Sequence, residues 1–397
     1  MKYTRLSLFF TGAVLAGVFA ACYADVEAAA EVDVEAAPEA VVEAAAEAAP
    51  AAENVRDDVS QKERAWSFQV FGYHAWWMRD LWQSYELDLL DKIMFFELRA
   101  AADGSISERN GWPGDAAPLS TAARKVGVEF VPTVAILDPT VFRGIFGSAS
   151  NTSRLIDNVM DVVENADADG VHLNIEIFEP VEQALQDGLT KFVRLLRGRL
   201  TEYRPGTELT IFTPGFDYAN AYDEAALAEE VDYLIVQGYD MHWVNGPTSG
   251  PLAPVKGWDG TNWEAIVDRY EADGVPASKI VITVPYYGYE WPTVSDAPGA
   301  ATRGDAQTIT YAPVDPAYLP LIQISALDRV RTHGMKRDPA TSTPYYVYRG
   351  ADGWYQGWYE DEESLHVKYR FVERRGLAGI AIFLLGYDGG ELMTSLY

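Results

Sequence analysis

Cysteine and histidine are scarce in this sequence. Among its 397 residues there are one cysteine, Cys22, and five histidines. A single cysteine excludes an intrachain disulfide and a cysteine-based metal site. The histidines are scattered and lack the HExxH spacing of a zinc hydrolase, so the sequence predicts neither a metal site nor another cofactor.

Basic residues are few compared with acidic ones. The chain carries 31 Lys and Arg against 59 Asp and Glu, which gives a formal net charge of -28 at pH 7. A protein of this charge repels polyanions, whose binding normally requires a basic surface. We therefore exclude nucleic acid as a partner.

The N-terminus has the pattern of an export signal. Lys2 and Arg5 precede an apolar run that is too short for a membrane span, which predicts a signal peptide over residues 1–24. Cys22 directly follows "FAA", as in a bacterial lipoprotein signal. Lipidation of Cys22 and simple cleavage near Ala24 stay open as alternatives, and both predict a secreted or cell-surface protein.

Residues 25–62 lack large apolar side chains. They consist mostly of Ala, Glu, Val, Asp and Pro, a composition that cannot bury enough apolar surface to offset the entropy of ordering. We interpret this segment as a disordered acidic tether that precedes a folded domain over residues 63–397.

Within the domain, apolar strand-like runs alternate with amphipathic helical stretches. This alternation predicts parallel β/α units, and at this length an α/β fold closed as a (β/α)8 TIM barrel. A doubly wound open sheet is the alternative, but no GxGxxG turn follows the first run. The eight runs are residues 66–73, 91–98, 128–135, 170–177, 208–215, 231–239, 279–287 and 379–386.

A long stretch separates the seventh and eighth runs. It contains "YYVYRGADGWYQGWY", two aromatic-rich runs around "GADG", which is typical of a β-hairpin. We therefore expect a small β-rich insertion at about residues 292–357.

The fourth run, "GVHLNIEI", carries polar residues at every second position. Because alternate side chains of a strand point to opposite faces, His172, Asn174 and Glu176 share one face. The active sites of such barrels lie at the C-terminal ends of the strands. A carboxyl group near the barrel axis is partly desolvated, which raises its pKa and suits it to act as a general acid.

Four segments together resemble the glycoside hydrolases of family 18, the chitinase-type barrels, over about residues 67–397. The segment "DGVHLNIE" is similar to the signature DGxDxDxE of strand four, and "QGYDMHW" to the MxYD element of strand six. "VPYYGYEW" is similar to VPxYGxxW of strand seven. The ending "LGYDGG" most resembles the bacterial branch that includes spore-cortex and peptidoglycan hydrolases.

The resemblance implies a retaining, substrate-assisted hydrolysis. In the family, a glutamate protonates the glycosidic oxygen while the acetamido oxygen of the substrate attacks the anomeric carbon. By position in the motifs, Glu176 is this acid. Asn174 stands where an aspartate orients the acetamido group, and Tyr239 matches the tyrosine that binds the acetamido oxygen.

Several positions depart from the family pattern. Asn174 and His172 replace aspartates, Phe383 replaces a tryptophan under the reacting sugar, Gln237 stands at the Met position and Tyr289 at an Arg position. An amide can hold the acetamido group but supplies no negative charge, and losing such a group costs roughly a hundred- to thousand-fold in rate.

The departure at Asn174 does not exclude activity. The Asn-x-Glu pair also resembles the endo-β-N-acetylglucosaminidases of family 85, which use it by the same logic. His172 could then donate a hydrogen bond to the Asn174 amide or, if protonated, oppose the positive charge of the intermediate. A satisfied buried polar pair is the alternative for these two residues.

The sequence as a whole predicts an exported glycosidase that cleaves β-linked glycans containing N-acetylglucosamine. A silent, chitinase-like lectin that binds amino-sugar glycans is the alternative, and a purely structural or adhesive role is a third. Core or rim packing remains the alternative for the aromatic candidates. The predicted catalytic residues are Glu176, Asn174 and Tyr239, and the predicted substrate-binding residues are Tyr73, Trp77, His172, Gln237, Asp240, Trp243, Tyr287 and Phe383.

Overall fold

The computed structural model describes residues 64–397. The predicted signal peptide, acidic tether and Cys22 lie outside these residues. The strands of the described part are β1 (Gln69–Ala75), β2 (Lys92–Ala100), β3 (Ile106–Glu108), β4 (Glu129–Ile136), β5 (Gly170–Ile175), β6 (Glu208–Thr213), β7 (Tyr233–Val236), β8 (Ile280–Pro285), β9 (Tyr287–Thr293), β10 (Gln307–Thr310), β11 (Lys336–Arg337), β12 (Pro344–Gly350), β13 (Gly353–Trp358) and β14 (Gly379–Phe383).

Eight of these strands form a closed parallel barrel. Their order is β1-β14-β8-β7-β6-β5-β4-β2, and β1 pairs with β2 to complete the ring. The short β3 adds to β2 as an antiparallel strand outside the ring. The predicted (β/α)8 TIM barrel is therefore confirmed, with each barrel strand inside or overlapping one of the predicted runs.

Helices follow most of the barrel strands and cover the outside of the ring. Their ends carry local signals. For example, the side chain of Asp361 accepts a hydrogen bond from the backbone of Ser364, and Gly376 ends the same helix with a positive φ of 64°. The α-helices are α1 (Ala117–Lys125), α2 (Pro139–Phe146), α3 (Ala149–Asn165), α4 (Gln183–Tyr203), α5 (Glu224–Glu230), α6 (Trp263–Ala272), α7 (Ala326–His333) and α8 (Glu362–Arg375). Short 3-10 helices span Trp76–Ser84, Leu87–Leu89, Trp258–Gly260, Ala277–Lys279 and Leu392–Leu396.

Among residues 64–397, none of the helices combines the length and the apolar character that crossing a membrane would require.

The two faces of the barrel strands belong to different clusters. Val171, Leu173 and Ile175 of β5 point outward into the large core between barrel and helices. Inward-facing residues of other strands, such as Phe71 and Met94, belong to a separate cluster inside the ring. The alternation read from the sequence therefore positions the polar face of β5 inside the barrel.

A polar group closes the N-terminal end of the barrel. Lys92, Glu129 and Glu208 are the first residues of β2, β4 and β6. The Lys92 Nζ lies 2.8 Å from a Glu208 carboxylate oxygen and also contacts the Glu129 carboxylate. At the same end, Gln69 donates to the hydroxyl of Tyr233 at 3.2 Å. These contacts fill the barrel floor and leave the opposite, C-terminal end for the candidate site.

The predicted insertion between the last two barrel strands is a five-stranded antiparallel sheet, in the order β10-β9-β13-β12-β11. The predicted hairpin is confirmed as β12 and β13. The sheet begins at Tyr287, earlier than expected, because β9 starts almost directly after β8 ends at Pro285. The buried carboxylate of Glu290 on β9 accepts hydrogen bonds from Tyr346 at 2.7 Å and Arg329 at 3.0 Å, which ties helix α7 to this sheet.

Candidate active site

Strand β5 brings Asn174 and Glu176 to the C-terminal end of the barrel. Glu176 is the first residue after the strand, and its N–H donates to the Ile136 carbonyl of β4 at 2.9 Å, which continues the ladder by one bond. The Asn174 Nδ2 donates to Glu176 Oε1 at 2.8 Å. Their side chains are nearly buried, with exposed fractions of 3% and 5%. The amide therefore holds one carboxyl oxygen of Glu176 in a defined direction.

The carboxyl group of Glu176 is tuned toward the protonated form. Its pKa is raised from the ordinary value of 4.5 to about 7. Burial is the main cause, the hydrogen bond from Asn174 acts in the opposite direction, and the charge of Asp240 adds to the rise. A carboxyl group with a pKa near neutrality can donate a proton at the pH of most cells and their surroundings.

His172 lies one layer deeper in the barrel and is fully buried. Its Nε2 is 2.9 Å from the Tyr73 hydroxyl, and its Nδ1 is 2.9 Å from Thr210 Oγ1. The expected hydrogen bond from His172 to the Asn174 amide is therefore wrong, because both ring nitrogens bind other groups. Burial also lowers the pKa of His172 to about 3, so the neutral ring cannot oppose a positive charge. His172 is therefore engaged within the barrel through both ring nitrogens, and its contact with a substrate stays a prediction.

Tyr239, Asp240 and Tyr287 line the site beyond the ends of β7 and β8, two and three strands from β5 in the ring. The Tyr287 hydroxyl donates to Asp240 Oδ1 at 2.7 Å, and the rings of Tyr239 and Tyr287 meet edge to face at 5.8 Å. Burial raises the pKa of Asp240 to about 7, although hydrogen bonds from Tyr287 and Tyr289 act against this rise. Burial, followed by the nearby charge of Glu176, raises the pKa of Tyr239 well above its usual range, so Tyr239 remains a hydrogen-bond donor.

Phe383 joins the two sides of the site. Its ring lies 5.4 Å from the ring of Tyr73, 5.8 Å from that of Tyr239 and 6.4 Å from that of Tyr287. It also meets Phe96 of β2 edge to face at 5.7 Å. The side chain is only half-buried, so one part of the ring remains accessible at the mouth of the barrel.

Three further predicted residues, Trp77, Gln237 and Trp243, are each half-buried. Trp77 is half-buried and packs edge to face on Phe96, with ring centroids 6.2 Å apart. Gln237 is half-buried just after β7 and lies two residues before Tyr239, on the same face by alternation. Trp243 is half-buried in the loop beyond, where its carbonyl accepts a hydrogen bond from the Trp291 indole at 3.2 Å. Trp77 and Trp243 are thus held by aromatic neighbours, and their role in substrate binding stays a prediction.

The sequence analysis missed a carboxyl group, Glu97 of β2. Its side chain is completely buried, and its Oε1 accepts a hydrogen bond from Arg99 Nε at 3.2 Å. Burial and then the charges of Glu176 and Glu108 raise the pKa of Glu97. The signal was present in "FFEL", where a lone acid follows an apolar run at the end of a barrel strand. The reasoning used for Glu176 would still not have placed Glu97 inside the barrel, because Met94 and Phe96 face inward and strict alternation puts Glu97 on the other face. The register between β2 and β4 shifts between Phe95 and Leu98, which local pattern does not reveal.

Comparison with known proteins gives a consistent result. The model of a family described as "Glycosyl hydrolases family 18" matches residues 137–388, more than half of the chain. A cortical fragment-lytic enzyme of Bacillus anthracis is 20% identical over 311 residues, which are 75% of this chain and 65% of that protein. An endochitinase of Brugia malayi is 24% identical over 262 residues, which are 62% of this chain and 51% of that protein. The chain thus spans less than two thirds of the length of these relatives.

Solved structures show the same fold. The crystal structure of the spore cortex-lytic enzyme SleL of Bacillus cereus superposes with a TM-score of 0.65 at 17% sequence identity, covering 83% of this chain and 73% of that chain.

The raised pKa of Glu176 makes stability depend on pH. Because the folded-state pKa lies above the ordinary value of 4.5, the folded protein binds this proton more tightly than the unfolded chain. Its contribution is therefore present at low pH and is lost as pH rises through about 7. We expect Glu176→Gln to gain about 3 kcal/mol over the wild type between pH 5 and pH 9, measured by urea unfolding.

The matched control for this measurement is Glu179→Gln in the same loop, because the Glu179 side chain is 54% exposed. Its stability relative to the wild type should change little over this pH range. A constant difference between Glu176→Gln and the wild type would contradict the buried, proton-binding state of Glu176.

Proposed function

Because the chain belongs to family 18 of the glycosyl hydrolases, we propose that it hydrolyses β-linked glycans containing N-acetylglucosamine by substrate-assisted retention. One observation carries the proposal: the nearly buried carboxyl of Glu176 is held by Asn174 at 2.8 Å, at the C-terminal end of the barrel. A directed carboxyl group with a raised pKa is what protonation of a glycosidic oxygen requires.

Glu176 acts as the general acid in this proposal. Its Oε1 already accepts a hydrogen bond from Asn174, so the proton resides on Oε2 and is available to the leaving oxygen. The neighbouring Asp240 favours this protonated state because a second negative charge nearby raises the pKa of Glu176.

Asn174 and Tyr239 hold the acetamido group of the reacting sugar. The Asn174 amide donates to Glu176 through Nδ2, and its carbonyl Oδ1 can accept the acetamido N–H. The Tyr239 hydroxyl donates to the acetamido oxygen and sets it for attack on the anomeric carbon. Glu176, in its ionised form, later accepts a proton from the water that opens the cyclic intermediate.

With Asn174 where an aspartate would stand, the site lacks one negative charge beside the positive intermediate. A neutral amide supplies no such charge, and burial favours the neutral forms of Glu97 and Asp240 as well. Phe383 forms the platform under the reacting sugar and offers less area than a tryptophan would.

The names of the relatives support one class of glycan. One relative is named a cortical fragment-lytic enzyme and another an endochitinase. The polymers that these names point to, peptidoglycan and chitin, both contain β-linked N-acetylglucosamine. We therefore propose this unit as the element that the site recognises, with chitin fragments, peptidoglycan and N-glycan cores as the candidate substrates.

Removal of the acid tests the proposed activity. We expect the wild type to release the fluorophore from fluorogenic N-acetylglucosamine oligomers, and Glu176→Gln to be slower by at least about a hundredfold. The wild-type kcat/KM should fall as pH rises above about 7, because the acid must be protonated. Glu179→Gln, in the same loop but exposed, should keep the wild-type rate.

Equal background rates for the wild type and Glu176→Gln would refute the hydrolase. If both proteins then bound the oligomers, as measured by calorimetry, the barrel would be an amino-sugar lectin.

The variant Asn174→Asp tests whether the site is built around an amide. A carboxylate at this position removes the donor to Glu176 and adds a charge among Glu176, Asp240 and Glu97 in a buried site. We expect kcat to fall by about tenfold or more at neutral pH. The control Asn158→Asp changes a half-buried amide on helix α3 that binds the carbonyls of Gly104 and Arg154 and none of the site residues, and it should have little effect on kcat.

A gain in kcat for Asn174→Asp would contradict this expectation. It would show that the site is a weakened form of one that works best with an aspartate.

We also propose that the chain is exported, on the basis of its N-terminal pattern. Mass spectrometry of the mature protein from a bacterial host should show that the leader is absent. A lipidated Cys22 as the first residue would establish an anchor, whereas a first residue near position 25 would establish free secretion. An intact Met1 in the cell interior would overturn export.

A further inference from the structure

The hydroxyl of Tyr222 contacts both residues that flank Glu176 in the chain. It donates a hydrogen bond to the carbonyl of Ile175 and accepts one from the N–H of Ile177 at 3.2 Å. Tyr222 lies in the loop after β6 and its side chain is almost fully buried. We name these two hydrogen bonds the Tyr222 bridge.

The Tyr222 bridge replaces part of the sheet at the point where β5 and β6 separate. The N–H of Glu208 donates to the carbonyl of Asp169 at 3.1 Å, and the parallel register continues to Leu173 and Ile211. Repeated every second residue, this ladder would pair the Ile175 carbonyl with the N–H of residue 214. Residue 214 is a proline, which has no N–H to donate.

The second bond of the bridge follows from the same register. In a continued ladder, the N–H of Ile177 would donate to the carbonyl of Pro214. That carbonyl instead accepts a hydrogen bond from the Tyr270 hydroxyl at 2.7 Å. One hydroxyl of Tyr222 therefore satisfies two buried backbone groups that the sheet leaves without strand partners, using both its donor and its acceptor capacity.

The loop that carries Tyr222 is held by its own hydrogen bonds. The Asp217 carboxylate accepts from the N–H groups of Ala219 at 3.0 Å and Tyr222 at 2.9 Å. The Gln186 side chain of helix α4 donates to the Tyr222 carbonyl at 3.1 Å. The N–H of Val181 donates to the Ala219 carbonyl at 3.0 Å, which joins this loop to the segment that follows Glu176.

We propose that Tyr222 is a positioning residue for Glu176, which it holds at the mouth of the barrel through the backbone of Ile175 and Ile177. This inference rests on the proposed function, in which Glu176 is the general acid. On its other side, Glu176 is fixed by its N–H bond to Ile136 at 2.9 Å. The backbone that carries the acid is therefore held on one side by β4 through the sheet and on the other side by the loop after β6 through Tyr222.

The variant Tyr222→Phe tests this role because it removes the hydroxyl and keeps the buried ring. Freed from the bridge, the carboxyl of Glu176 should leave its productive position for part of the time. We expect kcat to fall by about tenfold or more while KM stays within about twofold, since a small misplacement of a catalytic group costs rate and not binding. The alkaline limb of the pH profile should also move to lower pH, because a more mobile carboxyl is better solvated.

The matched control is Tyr369→Phe on helix α8. Tyr369 is also fully buried, and its hydroxyl also has two partners, Ser395 Oγ at 3.1 Å and the Tyr286 hydroxyl at 3.4 Å. Loss of this hydroxyl should reduce thermal stability to a similar degree without changing kcat or the pH profile. Equal kcat losses in the two variants would reduce Tyr222 to a structural residue and overturn the proposal.

Hydrogen exchange separates this proposal from the proposed function, because exchange requires no turnover. The N–H of Ile177 has the Tyr222 hydroxyl as its acceptor. The peptide that spans residues 173–181 should therefore exchange its amide hydrogens faster in Tyr222→Phe than in the wild type. In Tyr369→Phe its exchange rate should equal that of the wild type. Unchanged exchange in Tyr222→Phe would refute the bridge. A wild type without hydrolytic activity would refute the proposed function, and the exchange result would still decide for or against the bridge.

Discussion

The closed barrel has no room for bulk water, so each polar group inside it needs a partner within the protein. The interior is organised in layers that meet this constraint. At the floor, Lys92 pairs with Glu208 and Glu129. In the middle, His172 binds the Tyr73 hydroxyl and Thr210. At the mouth, Asn174 binds Glu176. The floor contacts join β2, β4 and β6, the middle contacts join β1, β5 and β6, and the top layer lies at the C-terminal end of the barrel.

The same constraint produces the chemistry of the top layer. Burial raises the pKa of Glu176 and of Asp240 to about 7, while it lowers the pKa of His172 to about 3. Desolvation disfavours the charged form in each case, which leaves a neutral histidine below and protonatable carboxyls above. The strand ends impose a further requirement, because the sheet between β5 and β6 stops at Pro214 beside the acid. A hydroxyl from the next loop, that of Tyr222, takes over the backbone bonds.

Much of this arrangement could be predicted from local pattern. Apolar runs and their spacing predict the barrel strands, and the period of two in "GVHLNIEI" puts Asn174 and Glu176 on the inner face. The hydrogen bond between these two side chains is also local, since they lie two residues apart. The partners of His172 could not be predicted, because Tyr73 and Thr210 are 99 and 38 residues away. The interaction of Glu97 with Glu176 could not be predicted either. The two carboxyl groups interact electrostatically only because β2 and β5 belong to one closed ring.

The sequence by itself thus determined the order of the strands, the face on which each inner side chain lies and the family to which the motifs belong, because these depend on short-range periodicity and residue identity. Tertiary structure alone decided which inner groups distant in sequence bind one another, how far the pKa values move and how the backbone around the acid is held. These properties arise from closure of the ring and from the exclusion of water, and both require the whole barrel. The neutral, fully engaged His172 and the bridge from Tyr222 exist only in the assembled barrel.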